Sequence, residues 1–310
     1  LDHILSELDD AYINFIQYKK SNNIMSSSQL FSNIFVELKE RAYQKTFPGL
    51  ASGFYDLDSI TQGFQKSDLI IVAGRPSMGK TAFCLNIAIN IIKKYQLPII
   101  FFSLEMSKEQ LVYRLLANST QISNTRLRSG NLTKTDWKTI IKTIKLFSSL
   151  PLFIDDTTNL TVNDIRTKIK KIMFERKHVG LIIIDYLQLM QCSTNKSENR
   201  VQELSQITRM LKNIGREFNV PIIVLSQLSR SVETRTNKQP ILSDLRESGS
   251  IEQDSDLVLM LYNQNYYNQD KSNTTYITDI IIAKHRNGPV GKVSLTFNPI
   301  YTQFSNIESN

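Results

Sequence analysis

The sequence predicts an α/β fold, with a mainly parallel central sheet covered by helices on both faces, a C-terminal β-hairpin and a helical N-terminal linker. Three observations carry this. From Asp68 onward, short β-branched runs alternate with helical stretches, the pattern of strands buried on both faces and joined by helical crossovers. The segment GRPSMGKT at 74–81 stands between one such run and a helical stretch. Near the end, two alternating runs flank Asn287, Gly288 and Pro289, a turn signal that makes them a hairpin.

Taken in order, the chain opens with Leu1, Ile4, Leu5, Leu8, Tyr12, Phe15 and Ile16 at helical spacing. After a run of serines, Ser26 to Ser28, a second stripe follows at Leu30, Ile34, Phe35 and Leu38. Two amphipathic helices are expected, packed either on their own domain or on a neighbouring copy. Breaker residues at Phe47, Pro48, Gly49, Ser52 and Gly53 then end the linker. Residues 1–45 are read as a helical linker and remnant of an N-terminal region, and 46–310 as the main domain; Leu1 in place of methionine suggests a longer parent polypeptide. Strands are expected at 69–73, 99–103, 152–156, 181–185, 221–226, 256–262, 278–285 and 291–297, with the polar stretch 263–275 as a surface loop. Gly215 stands where a helix should run, at a cost of about 1 kcal/mol relative to alanine, and has no expected functional role.

With 310 residues and 41% hydrophobic content the chain can bury a substantial core. No apolar run has the length of a bilayer crossing, and the acidic start LDHILSELDD lacks the profile of a secretory signal. Cys84 and Cys192 fall outside any paired metal-ligand spacing, which fits a reducing compartment. A formal net charge of +8 favours an anionic partner without naming one.

GRPSMGKT, comprising Gly74, Arg75, Pro76, Ser77, Met78, Gly79, Lys80 and Thr81, follows the run LIIVA and opens the helix TAFCLNIAINIIKK. This is the full P-loop pattern in its proper context. The glycines let successive backbone N–H groups point at phosphate oxygens, the helix start adds partial positive charge, Lys80 reaches the outer phosphates, and Thr81 offers a ligand to Mg²⁺. ATP or a related triphosphate is the expected ligand. Hydrolysis also needs carboxylates at the carboxyl ends of neighbouring strands, the edge that the P-loop shares. Asp185 closes LIIID and suits the metal; Glu105 follows FFSL and suits the catalytic base. Gln227 follows IIVLS on the same edge, as a γ-phosphate sensor or a structural amide. A capping aspartate and an ordinary exposed glutamate are the plainer readings of Asp185 and Glu105.

Several segments together carry a family resemblance: GFQKSDLIIVAGRPSMGKTAF at 63–83, FFSLEMS at 101–107, LIIIDYLQLM at 181–190, LSQLSR at 225–230, SDLRESGSIEQDSDLV at 243–258 and AKHRNGPVG at 283–291. The chain closely resembles the DnaB replicative helicases from about Gly53 to the final strand. That resemblance implies a RecA-like P-loop ATPase core, DNA-stimulated ATP hydrolysis with Mg²⁺, and a homohexameric ring moving 5′ to 3′ on single-stranded DNA. It also implies a site completed in trans, in which Gly79, Lys80, Thr81, Glu105, Asp185 and Gln227 hold ATP while Lys284 and Arg286 of AKHRNG reach the neighbouring copy's γ-phosphate. Two loops would grip DNA. One carries Lys196 and Arg200; the other carries Arg246, Glu247 and Gly249, the last two through backbone N–H groups.

The resemblance further implies primase and helicase-loader contacts in a longer protein. It points to a bacterial cytoplasm, at the nucleoid, or to a plastid stroma, and the Asn- and Lys-rich loops lean toward the plastid. Two other readings stay open: a RecA-like recombination or repair ATPase, which would form filaments, and a ring ATPase acting on protein clients.

Overall fold

The computed structural model describes residues 26–44, 47–190, 200–245, 249–263 and 275–307. The chain divides into two compact units, Leu1–Phe47 and Pro48–Asn310, with the boundary inside the predicted breaker run. The first helical stripe, at Leu1 to Ile16, lies outside the described residues, as does nearly all of the predicted 263–275 loop. The second stripe forms α1 (Ser27–Gln44). It starts where Ser26 and Gln29 exchange hydrogen bonds between side chain and backbone, a reciprocal cap that satisfies orphan N–H groups.

In the larger unit, α2 (Tyr55–Thr61) leads into β1 (Leu69–Gly74), α3 (Lys80–Tyr95) and β2 (Ile99–Ser103). Then come α4 (Lys108–Thr120), α5 (Asn124–Ser129), α6 (Lys134–Phe147), β3 (Leu152–Asp155), α7 (Val162–Arg176), β4 (Leu181–Asp185), α8 (Arg200–Phe218) and β5 (Ile222–Gln227). The chain continues through α9 (Ser231–Thr234), α10 (Gly249–Asp254), β6 (Leu257–Tyr262), β7 (Tyr276–His285), β8 (Gly291–Asn298) and β9 (Gln303–Asn306).

The strands form one sheet in the order β3-β2-β4-β5-β1-β6-β7-β8-β9. Every neighbouring pair from β3 to β6 is parallel, and β6 to β9 are antiparallel. Alternation along β1 divides its side chains between two cores. Ile70 and Val72 join Phe83, Ile87 and Ile91 of α3, while Leu69, Ile71 and Ala73 join Ile165 and Ile169 of α7 and Leu204, Ile207 and Leu211 of α8. Both faces are therefore covered, which is why β1, β2 and β4 read as unbroken apolar runs.

The predicted hairpin forms, pairing β7 with β8 from Tyr276–Phe297 to Ile282–Gly291. The sequence pattern does not mark β9, which extends the sheet by pairing with β8. Gly215 does not break α8. A Cβ at that position would stand 3.3 Å from the Val220 carbonyl oxygen and 3.5 Å from that of Ser67, so the missing side chain allows the helix to lie close against neighbouring backbone.

Candidate active site

The parallel topology collects four strand ends on one edge. β1 ends at Gly74, and register sets Gln227 beside it. β4 ends at Asp185, which register sets beside Ser103 of β2, two residues before Glu105. The P-loop leaves β1 and enters α3 through Gly79, whose φ of 82° is left-handed. A Cβ there would also lie 3.2 Å from the rings of Phe297 and Phe304, so this position requires glycine for backbone and space alike.

Around this edge lies a cavity of about 720 Å³ lined by Pro76, Ser77, Gly79, Lys80, Thr81, Glu105, Asp185 and Gln227 among others. The Lys80 ammonium donates to the carbonyl oxygens of Gly74 (2.9 Å) and Arg75 (3.1 Å), bracing the loop. Burial draws the Lys80 pKa below the usual lysine range, while Asp185 and Glu105 oppose the shift. The Thr81 hydroxyl donates to Asp185 Oδ2 at 2.7 Å. Burial pushes the Asp185 carboxyl above its ordinary value, opposed first by that hydrogen bond, with Glu105 adding to the rise and Lys80 and Arg114 countering it. A hydroxyl and a buried carboxylate in contact, facing a cavity that also holds a lysine, are the oxygen donors a phosphate-bound Mg²⁺ takes. Glu105 is exposed within the cavity wall, free to meet a water.

Not every residue of the loop faces the cavity. The Arg75 side chain turns away, with Nε 2.8 Å from Glu233 and its terminal nitrogen 2.8 Å from the Leu228 carbonyl. Met78 is buried in the core. Both therefore offer only main chain to a ligand, the role that backbone N–H groups have in a phosphate-cradling loop. Conversely, Arg114, Arg128, Tyr186, Phe297, Pro299 and Thr302 also line the cavity. Arg114 carried a signal in the sequence, since it lies on the helix face of Leu111 and Leu115, where a charge needs a reason.

Arg286 and Lys284 lie on the opposite edge, because β7 runs antiparallel and its end meets the amino ends of β1 and β6. The Arg286 N–H donates to the Asp256 carbonyl oxygen (2.8 Å) and its guanidinium lies 3.3 Å from Asp256 Oδ1, leaving the side chain 58% exposed. Asp256 is buried, accepts the Leu69 N–H at 2.8 Å and pairs with Lys212. Lys284 instead donates to the carbonyl oxygens of Glu252 (2.5 Å), Gln253 (3.3 Å) and Ser255 (2.7 Å). An ammonium has three donors, and within this chain those of Lys284 meet carbonyl oxygens at the end of α10 and just beyond it.

Of the residues expected at DNA, Lys196, Arg246 and Glu247 lie outside the described residues, and Gly249 opens α10. Arg200 pairs with Glu203 and donates to the carbonyl oxygens of Gln188 (2.7 Å) and Met190 (3.3 Å), tying α8 to the turn after β4, with its side chain 40% exposed.

Fold and site together define a P-loop nucleotide-hydrolysing enzyme of the RecA-like class. Residues 49–306 match the DnaB-like helicase C terminal domain. The chain is 62% identical over 98% of its length to the probable replicative DNA helicase of Trieres chinensis, covering 67% of that protein. It is 48% identical over 99% of its length to the replicative DNA helicase DnaB of Geobacillus stearothermophilus, covering 68% of it. Among solved structures, an ATPase domain superposes with a TM-score of 0.85 at 37% identity, covering 92% of this chain and all of that one. A DnaB-like replicative helicase solved in a study of its interactions with primase gives 0.82 at 35% identity, covering 97% of this chain and 72% of that one. The chain belongs to the DnaB-like replicative helicases. Among the described residues no helix is long and apolar enough to cross a membrane.

Proposed function

We propose that this chain is a ring motor that couples ATP hydrolysis to 5′–3′ movement along single-stranded DNA and to duplex unwinding at the replication fork. The observation that carries the reading is the placement of Arg286 and the P-loop on opposite edges of one sheet. β1 alone separates them by about 20 Å at roughly 3.3 Å per residue. Arg286 therefore cannot serve the nucleotide of its own chain, whereas a head-to-tail neighbour in a closed ring receives it. A homohexamer is the ring we propose.

In this reading the P-loop N–H groups and Lys80 hold the phosphates of ATP. Thr81 and Asp185 would hold Mg²⁺, which when bound neutralises charge on the phosphate oxygens. Glu105 orients and deprotonates the attacking water, and Gln227, beside Gly74, senses the γ-phosphate. Arg286 from the neighbour steadies the charge that develops, a contribution of about 10³–10⁵ in rate for such fingers. Segment 246–249 grips the strand through Arg246 and through the N–H groups of Glu247 and Gly249, contacts that suit any base sequence. Primase and a loader are the protein partners we expect. The 62% identity with the Trieres chinensis relative, against 48% with the Geobacillus one, supports a plastid stroma over a bacterial cytoplasm.

The test is ATP hydrolysis with and without single-stranded DNA for wild type, Arg286→Ala, Glu105→Gln and an equimolar mixture of the two variants. Each variant alone should be nearly inactive. The mixture should recover DNA-stimulated hydrolysis at about a quarter of its interfaces, those where an intact Glu105 meets an intact Arg286. Full activity of Arg286→Ala with no response to DNA would remove the trans finger and favour a ring ATPase acting on protein clients.

A further inference from the structure

We propose that Gln188 is a positioning residue that holds Gln227 in place as the sensor of the γ-phosphate, so that the distinction between ATP and ADP depends on a side chain that touches neither. The inference rests on the reading of Gln227 given above and deepens it.

Strand pairing leaves a gap at the end of β5. β4 and β5 pair only as far as Ile184 and Val224, because β4 ends at Asp185 and the chain then leaves the sheet. On its other side β5 is followed further, with Gly74 of β1 beside Gln227. Successive peptide groups of a strand within a parallel sheet turn to opposite neighbours. Leu228 donates its N–H to the Gly74 carbonyl oxygen at 3.4 Å, so the N–H and carbonyl of Gln227 turn the other way, toward the place that β4 has left.

Gln188 fills that place. It lies in the short 3₁₀ turn Leu187–Leu189 that follows β4. Its amide oxygen accepts the Gln227 N–H at 3.4 Å, and its amide nitrogen donates to the Gln227 carbonyl oxygen at 3.4 Å and to the Ser226 hydroxyl at 3.1 Å. An amide side chain carries the donor and the acceptor of a peptide group, so Gln188 adds one rung to the ladder where the backbone of β4 has none. The turn itself is well anchored. Leu187 and Met190 on either side of it are fully buried among the side chains of α7 and α8, and Arg200 donates to the Gln188 carbonyl oxygen at 2.7 Å.

The next residue of the sensor strand is held as well. Arg75 of the P-loop donates to the Leu228 carbonyl oxygen at 2.8 Å and pairs with Glu233. The backbone of Gln227 is thus braced from β1 and from the turn after Asp185, while its side chain stays exposed in the cavity wall. Placement matters at such a position, since an error of about 1 Å in a reacting geometry costs about 100-fold in rate. ADP has no γ-phosphate for Gln227 to meet, so its binding does not draw on the brace.

The experiment uses the full chain and compares wild type, Gln188→Met, Ser226→Ala, Gln227→Ala and the double variant Gln188→Met with Gln227→Ala. It reads KM and kcat for ATP hydrolysis, the affinities for ADP and for the non-hydrolysable adenylyl imidodiphosphate, and the melting temperature. Gln188→Met keeps the length of the side chain and loses the hydrogen bonds of its amide. Its kcat should fall about 3- to 10-fold, the scale of one or two hydrogen bonds. Its preference for the triphosphate analogue over ADP should fall with it, while ADP affinity keeps the wild-type value. In the double variant Gln188→Met should cost nothing beyond Gln227→Ala, because residues that act through one another are not additive. Ser226→Ala removes the shortest contact of the Gln188 amide, should move both signals the same way by less, and serves if the methionine variant folds poorly. Weaker binding of ADP and analogue by one common factor, or losses that multiply in the double variant, would overturn the proposal and leave Gln188 a brace of its own turn alone. An unchanged preference in Gln227→Ala would instead remove the sensor reading and this inference with it.

Discussion

At the scale of single residues, the electrostatics beneath Arg286 are as telling as those around the P-loop. Asp68 precedes β1, and its pKa is raised from 3.8 to about 6, by burial first and then by the charge of Asp256, against the pull of Lys212 and Arg286. A carboxyl whose folded pKa lies above its unfolded value favours the fold fully below the unfolded pKa. That contribution declines as pH rises and is lost once pH passes the folded value. Ionised Asp68 is thus a burden near neutral pH. Asp68→Asn should leave the melting temperature unchanged near pH 4 and raise it progressively up to about pH 6, with a constant gain above that. Because the side chain is only partly buried, solvent screening limits the gain to about 1 kcal/mol. Thermal unfolding across pH 4 to 8 checks this, and a difference that does not vary with pH would assign Asp68 no such role.

At the scale of elements, what the sequence revealed followed from burial. Strands covered on both faces read as apolar runs, so β2 and β4 were legible to the residue and β1 to within one residue, and the hairpin was legible from its turn. β9 was not, because only Phe304 of its four residues is buried and its place is set by pairing with β8. That one side chain has a large role. Phe304 stacks on Phe297 at 4.4 Å between centroids and meets Phe83 edge-on at 5.4 Å, and Phe83 in turn stacks on Phe54. Phe297 lines the nucleotide cavity, so the aromatic row joins the last strands to the P-loop helix. Phe304→Ala should destabilise the larger unit by about 3–5 kcal/mol, the usual cost of emptying a buried phenylalanine site. Among molecules that remain folded, KM for ATP should rise more than kcat falls, because Phe297 shapes the cavity while Glu105 and Asp185 stand at other strands. Denaturant melts and steady-state kinetics at low temperature separate the two effects.

For the whole molecule, the site was legible wherever position along a strand was enough. Asp185, Glu105 and Gln227 could be placed because parallel strands deliver their ends to one edge. Phe297 and Thr302 enter the cavity only through packing between distant parts of the chain, and the turn of Arg75 depends on Glu233 and Leu228, partners that no local pattern marks. The same whole-molecule view bears on α1. The unit Pro48–Asn310 contains two extensive cores of its own, whereas Phe31 and Phe35 of α1 are 73% and 69% exposed and Leu30, Ile34 and Leu38 are exposed beside them. A lone helix of this length is marginal in water, and a contiguous apolar face of this kind marks an interaction surface. On the proposed trans arrangement, in which Arg286 comes from a neighbour, a second copy of the chain is the occupant that fits. A chain of residues 48–310 should therefore melt within a few degrees of the full chain yet sediment at lower mass. It should also lose most of its DNA-stimulated hydrolysis, since in that arrangement a separated copy lacks the neighbour's Arg286. Rings of unchanged mass from the shortened chain would show that contacts within the larger unit hold the assembly and that α1 covers some other surface.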